Sequence, residues 1–474
     1  MLSGVFSLIR LAISNYKYFL TNLSVDMIIL QQVFFQKIMK LFPLYFLFAI
    51  CFLSSKCNKT NLDTTTTTVA KDTLVTSIKP LWSLVTSNDK TWNDGFDIAE
   101  PVIYGQNVLV STILNKYQVF RMLNSQTGSE VWNWQDFFRK LNYDSSNYSI
   151  RFPYIKTNKM VWSSFNEIYS IDLETGNTIW KNLYADKYGF QCKGVADNFF
   201  IQSWSPVTGN NLGPGDMVYN GNLITGSFKF LTIPKYDTTD VTPNNGRTGV
   251  ILGTAPFINS SGDTMLIISY ADQPVTKDYL FRDAFGVYNF SKNKWQIERV
   301  PIGLPSITGI NFTPIVKDGK VFHCKVGLVT CHDVNTGELL WSYNQIGNAN
   351  FLFSGILVAN GKVFANAGNG VLHCIEIATG KPLWQTESAG SCSDMAYLNG
   401  IIYFVGGSDG LLHAVDETKG KTIWKVISPD DGKAINKISG TFTRFCAVVP
   451  GVDGTKGRIV THTGYNIYCF EAAK

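Results

Sequence analysis

Val371 to Trp384 reads V-L-H-C-I-E-I-A-T-G-K-P-L-W. Apolar residues at Leu372, Cys374 and Ile377 or their neighbours recur at near period two, which suits a strand. Thr379-Gly380 supplies a turn, because glycine accepts a positive φ without steric cost. Trp384 falls four residues past that glycine, on the next strand. The same text returns at Leu412 to Trp424 (L-H-A-V-D-E-T-K-G-K-T-I-W), Val329 to Trp341 (V-T-C-H-D-V-N-T-G-E-L-L-W) and Ile168 to Trp180 (I-Y-S-I-D-L-E-T-G-N-T-I-W). A looser copy at Val119 to Trp132 ends S-Q-T-G-S-E-V-W.

The tryptophans set the period. Trp132 and Trp180 are 48 residues apart, Trp341 and Trp384 are 43, and Trp384 and Trp424 are 40. A repeat of roughly 40–50 residues built of short strands and turns reads as a β-propeller with one four-stranded antiparallel blade per repeat. One blade cannot bury both faces alone, so the blades must stack and the ring must close.

Pro80-Leu81-Trp82 resembles the end of a repeat without its preceding strand, and Asn466 to Glu471 resembles the strand without its turn and tryptophan. The two halves complete each other. The N-terminal strand is therefore expected in the last blade, removing edges that a sheet must otherwise protect. The units fall near 98–134, 150–183, 196–236, 250–298, 307–344, 354–387, 395–427, and 440–474 with 79–85. An eight-bladed all-β propeller over 79–474 is expected, with seven blades as the alternative. Unit three shows no tryptophan, and unit four keeps only Trp295 after a shortened turn.

Upstream, residues 1–38 resemble no domain, and Met27 and Met39 are further candidate starts. Met39 opens a compact secretory signal over 39–57: Lys40, then an apolar run over 41–53, then Ser54-Ser55-Lys56-Cys57. The apolar run is 13 residues, short of the roughly 20 a membrane span needs. Cys57 stands where a bacterial lipoprotein signal places its acylated cysteine. The stretch around it resembles the relaxed lipobox of Bacteroidetes-type lipoproteins, although Ser54 and Lys56 depart from the stricter pattern. Residues 58–78, with Thr64 to Thr68 as a threonine run, read as a polar tether. The expected location is the bacterial envelope, with a lipid anchor in the outer membrane.

Charged residues are 16% of the chain and the net charge is +5 with mixed signs. That balance, with no basic stripe interleaved with aromatics, argues against nucleic acid.

The repeated [small]-x-[Asp/Glu]-x-x-Thr-Gly-x-x-x-Trp resembles the repeat of pyrroloquinoline-quinone (PQQ)-type propellers. That superfamily includes quinoprotein alcohol dehydrogenases and the eight-bladed BamB-type lipoproteins of outer-membrane assembly. The repeat speaks for fold, not chemistry. Its columns read as structural: Gly128, Gly176, Gly337, Gly380 and Gly420 as turns, and Trp82, Trp132, Trp180, Trp295, Trp341, Trp384 and Trp424 as packing between blades. Small residues and cysteines (Met122, Ser170, Cys331, Cys374, Ala414, Cys469) stand six before the glycine or in the same frame. Asn124, Asp172, Asp333, Glu376 and Asp416 stand four before it, placed to accept bonds from turn amides.

No His-x-x-x-His or Cys-x-x-Cys spacing exists, so no metal site is expected. Cys324 and Cys331 are the nearest candidate pair for a disulfide. The resemblance to quinoprotein dehydrogenases implies adjacent cysteines, a catalytic Asp and calcium ligands beside the quinone. No two cysteines are adjacent here, and a haem-attachment Cys-x-x-Cys-His is absent. The expectation is therefore no catalytic residue, no PQQ, and a protein-binding scaffold, with a PQQ-dependent dehydrogenase or a glycan-binding surface lipoprotein as alternatives. Candidate binding residues lie where the repeat breaks: Trp204 and Tyr219 in 203–222, Arg247 in 236–248, and Arg282 in 272–283.

Overall fold

A computed structural model describes residues 75–474 apart from 87–99, 115–116, 137–152, 165–166, 184–187, 205–215, 238–248, 273–280, 306–312, 348–351, 353–354, 392 and 436–437. The segments 1–38 and 39–57, with Cys57, and most of the tether lie outside the described residues.

The described chain is all-β, and no helix among its residues is long and apolar enough to cross a membrane. Its strands form eight four-stranded antiparallel blades in a ring, over residues 102–134, 154–183, 188–232, 249–301, 315–343, 356–387, 396–426, and 442–471 with 82–85. The alternative of seven blades is excluded. Trp82–Val85 pairs antiparallel with Asn466–Glu471, with Trp82 opposite Cys469, so the N-terminal strand closes the ring as the repeat text requires.

The core lies between blades. Eight apolar clusters of the described residues fill the eight seams, and each draws its side chains from two neighbouring blades. Seam 1–2 is rich in aromatics: Trp134 lies edge-on to Trp162 and Tyr169, which stack on each other.

The conserved pattern within the chain has one mechanical use. Five of the repeat tryptophans lie over the turn glycine of the following blade: Trp82 over Gly128, Trp132 over Gly176, Trp180 over Gly226, Trp341 over Gly380 and Trp384 over Gly420. A Cβ on any of these glycines would come within 2.5–2.7 Å of the indole. Each indole Nε1 also donates to a carbonyl of that next turn: Ser125, Leu173, Leu223, Ile377 and Glu417 in the same order, at 2.8–3.1 Å. The glycine is thus required twice, for its φ of +66° to +73° and for the space. Opposite the tryptophans, in strand register, stand Cys469, Met122, Ser170, Cys331, Cys374 and Ala414. In the acidic column, Asp172 Oδ1 accepts from the amides of Glu174 and Thr175 at 2.8 and 2.9 Å, and Asp333 does the same for Asn335 and Thr336. Glu376, one methylene longer, takes the Thr379 hydroxyl at 2.5 Å instead.

Three features differ from the sequence reading. Blade 3 begins at Tyr188–Val195, earlier than 196, and it carries the full turn: Asn222 accepts from the amides of Ile224 and Thr225, and Gly226 has φ 69°. What it lacks is the tryptophan. Phe230 stands four past Gly226, 51% exposed, because blade 4 turns through Asn293 and offers it no glycine seat. Trp295 does not dock on the turn of blade 5. Its ring lies over Gly286 and edge-on to Tyr288 and packs against the seam between blades 3 and 4, while Val300 and Ile297 fill the space above Gly337 of blade 5. Finally, Val75–Thr76, within the stretch read as tether, adds in parallel to the outer strand of blade 7, Thr422–Val426. The Ile427 amide donates to Thr76 O at 3.0 Å, and Ile78 packs beside Ile423.

Candidate functional site

Antiparallel order within each blade sorts the connections by face. The first-to-second and third-to-fourth strand turns lie on one face and are nearly all short. The second-to-third connections and the blade-to-blade connections lie on the other. The irregular stretches of the sequence are the second-to-third connection of blade 3, the crossing from blade 3 to blade 4, and the second-to-third connection of blade 4. All three therefore rise from the same face of adjoining blades. Their middles, including Arg247, lie outside the described residues.

Their stems are defined, and they show where the candidate residues stand. Trp204 ends the strand Asn198–Trp204, opposite Tyr188. Tyr219 is not on a loop. It lies within the strand Met217–Asn222, 6% exposed, with its ring edge-on to Phe228 and Phe230. Arg282 opens the strand Arg282–Asn289 and donates to Asp237 Oδ2 at 3.1 Å. Beneath it the fully buried Asp272 accepts from Arg299 Nη2 at 2.7 Å and from the Asp237 amide at 2.9 Å, with Arg282 Nε 4.0 Å away. Arg299 also lies 5.7 Å over the Tyr270 ring. Two arginines on a buried carboxylate at the base of two connections make a clamp that fixes those stems. The sequence singled out Arg282 and missed Asp272 and Arg299, which no local motif marks.

On the axis, the first strands of blades 2 to 7 and the residues leading into them line an open cavity of about 460 Å³. Its walls include Tyr154, Pro256, Pro314 and Ile356, with Lys193 from blade 3 and Asp394 leading into blade 7. Blades 3 and 7 of eight stand opposite each other across the axis. Burial pulls the Lys193 ammonium below its usual range, only partly offset by the Glu100 and Asp394 carboxylates. The lining residues are spread from 153 to 395, so no stretch of sequence announces the cavity.

The thiols and imidazoles of the described residues are buried. Burial raises the thiols of Cys192, Cys324, Cys331, Cys374 and Cys469 to about 12, which leaves them protonated and inert. Cys324 and Cys331 are both free and buried, so the candidate disulfide between them is absent. His323 accepts or donates to Ser269 Oγ at 2.9 Å, His373 pairs with the Tyr343 hydroxyl at 3.0 Å, and His413 with Asp409 at 2.9 Å. Among the described residues no three His, Cys, Asp or Glu side chains gather as a metal site.

Residues 293–455, from the outer strand of blade 4 into blade 8, match the family model described as outer membrane protein assembly factor BamB. Among characterised proteins, the chain is 35% identical over 87 residues to an outer membrane protein assembly factor BamB of Moranella endobia, which is 17% of this chain and 22% of that protein. It is 31% identical over 94 residues to a quinohemoprotein alcohol dehydrogenase of Comamonas testosteroni, 18% of this chain and 13% of that one. The chain thus aligns with less than a quarter of the length of either relative. Among solved structures, BamB from Moraxella catarrhalis superposes with a TM-score of 0.51 at 11% identity, over 83% of this chain and 99% of that one, a likeness of fold. The resemblance read from Thr-Gly-x-x-x-Trp is thus matched over residues 293–455 by the BamB family model, and the described chain as a whole has the eight-bladed β-propeller fold.

Proposed function

We propose that the chain is a non-catalytic scaffold of the bacterial envelope, a lipid-anchored propeller that holds protein partners in outer-membrane protein assembly. The observation that carries this reading is the match of 293–455 to the BamB family model. The repeat residues add to it, since the indoles, turn glycines and column carboxylates are spent on joining blades and shaping turns. The secretory signal ending at Cys57 supports the anchor, because several acyl chains on one cysteine give stable membrane attachment where a single chain does not.

PQQ is a tricarboxylate, and in quinoproteins it accompanies calcium. Among its described lining residues the axial cavity offers one lysine, Lys193. One cation for three carboxylates is a poor match, and this supports a cofactor-free reading. A quinoprotein dehydrogenase is the second reading, favoured by the 94-residue alignment to the Comamonas enzyme.

The test is an affinity pulldown of the lipidated full-length protein from mildly solubilised envelopes, with mass spectrometry of the eluate and absorbance and metal analysis of the purified protein. An outer-membrane insertase among the partners is expected. A stoichiometric quinone with calcium would overturn the scaffold reading in favour of an oxidoreductase. A Cys57→Ser variant is expected to leave the membrane fraction. Its retention there would remove the anchor from the reading.

A further inference from the structure

We propose that the outer edge of blade 7 is a strand-addition site through which two copies of this chain pair, each lending its segment 75–78 to the other. Four observations carry this. First, the seat is built. Val75–Thr76 adds in parallel to Thr422–Val426, with Val75 opposite Lys425 and Thr76 opposite Val426, and the Ile427 amide donates to Thr76 O at 3.0 Å. Ile78 then packs on the apolar cluster of the seam between blades 7 and 8. Second, the segment is held lightly. Its ladder is two residues long and both are half-buried, whereas Trp82–Val85 pairs over four residues and its indole docks on blade 1. Such an edge ladder opens at low cost while the ring stays closed. Third, among the described residues Thr422, Ile423 and Trp424 have no strand partner on their outer side, so the edge is longer than the segment now on it. Fourth, Leu81, just before the outer strand of blade 8, and Val85, at its end, are 50% and 58% exposed.

Identity selects the occupant. A second copy carries the same segment, so exchange keeps every contact of the seat and needs no new recognition sequence. Each copy gives one segment and takes one, which closes as a two-fold pair. Few residues separate the ladder from Trp82, so the copies must meet at the rims of blades 7 and 8. Leu81 and Val85 stand there, and the pair removes from water apolar surface that a single copy leaves exposed. The proposal stands apart from the scaffold reading, since it needs neither the lipid anchor nor a foreign partner.

The test is disulfide trapping between two differently tagged full-length chains, co-expressed, purified and oxidised, one carrying Val75→Cys and the other Lys425→Cys. Facing residues of adjacent strands lie roughly 5 Å apart, within reach of a disulfide. A linked pair bearing both tags is expected, and adding Ile78→Asp to the Val75→Cys chain should reduce it about tenfold or more. A chain carrying both cysteines reports the arrangement within one copy. In-chain linkage there, with no two-tag pair from the single variants, would overturn the proposal, as would a two-tag pair undiminished by Ile78→Asp. Sedimentation of the parent chain gives a second readout. It should show a two-copy species that Ile78→Asp converts to one copy, with a melting temperature within a few degrees of the parent. A parent that sediments as a single copy up to about 100 µM would also overturn the proposal.

Discussion

At Gly380 the backbone has φ 71°, and a Cβ would sit 2.7 Å from the Trp341 ring. At Gly361, in the first turn of the same blade, φ is 72° but nothing lies within 4 Å of the same atom. The pair separates two costs. Gly361→Ala should cost about 1–2 kcal/mol for the left-handed backbone alone. Gly380→Ala adds displacement of a docked indole, about 1–3 kcal/mol more. Urea unfolding of the two variants measures the difference, and equal losses would mean that the indole gives way freely. The same logic explains Phe230. At Phe230 the next blade supplies Asn293 in place of the turn glycine, so the ring has no such seat.

Where the indole docks are missing, the seam is held by other means. Between blades 4 and 5, Lys325 Nζ lies 2.8 Å from Asp283, with side-chain exposures of 4% and 0%. It also donates to Leu304 O at 2.7 Å. Breaking such a pair leaves a buried charge, so Lys325→Met should cost about 3–5 kcal/mol, and adding Asp283→Leu should recover much of it. Unfolding midpoints of the single and double variants decide this. The same seam carries His323 and His332, with ring centroids 5.9 Å apart and Phe285 against both. Burial holds His323 well below the usual imidazole range and His332 at about 4. Both are therefore neutral in the fold, while the unfolded chain takes up protons near pH 6.5. Their contribution is fully present above about 6.5 and is lost as pH falls toward 4, by up to about 1.4 kcal/mol per pH unit for each. Denaturant midpoints followed from pH 7 to 4 should decline, and His332→Phe should flatten the decline.

At the scale of the ring, the N-terminal stretch acts twice. Trp82–Val85 completes blade 8, and Val75–Thr76 straps the outer edge of blade 7. Closure is the larger effect, because an open ring exposes strand edges and two apolar faces. Deleting everything before residue 79 should lower the melting temperature by only a few degrees. Deleting through Val85 should abolish cooperative unfolding or cause aggregation. A monomeric, sharply melting product of the longer deletion would show that the ring holds without its last strand. The ring also explains why the irregular connections share a face: antiparallel blades place every blade crossing on the same side.

The sequence by itself determined the blade, its repeat and the closing strand, because each depends on local rules. A turn needs glycine, a strand alternates, and a tryptophan recurs at a spacing that one blade sets. Blade 3 was legible in Thr225-Gly226 and hidden only when its tryptophan was sought. The tertiary structure decided what depends on contacts between distant segments. Val75–Thr76 pairs with strand residues near 425, so nothing in its own two residues marks it as a strand. Tyr219 reads as a loop residue beside a Gly/Pro-rich stretch, yet strand pairing on both sides buries it. Asp272 meets Arg299 and Arg282 only after the strands of blade 4 are in register. The axial cavity, drawn from six blades, exists only once the ring has formed.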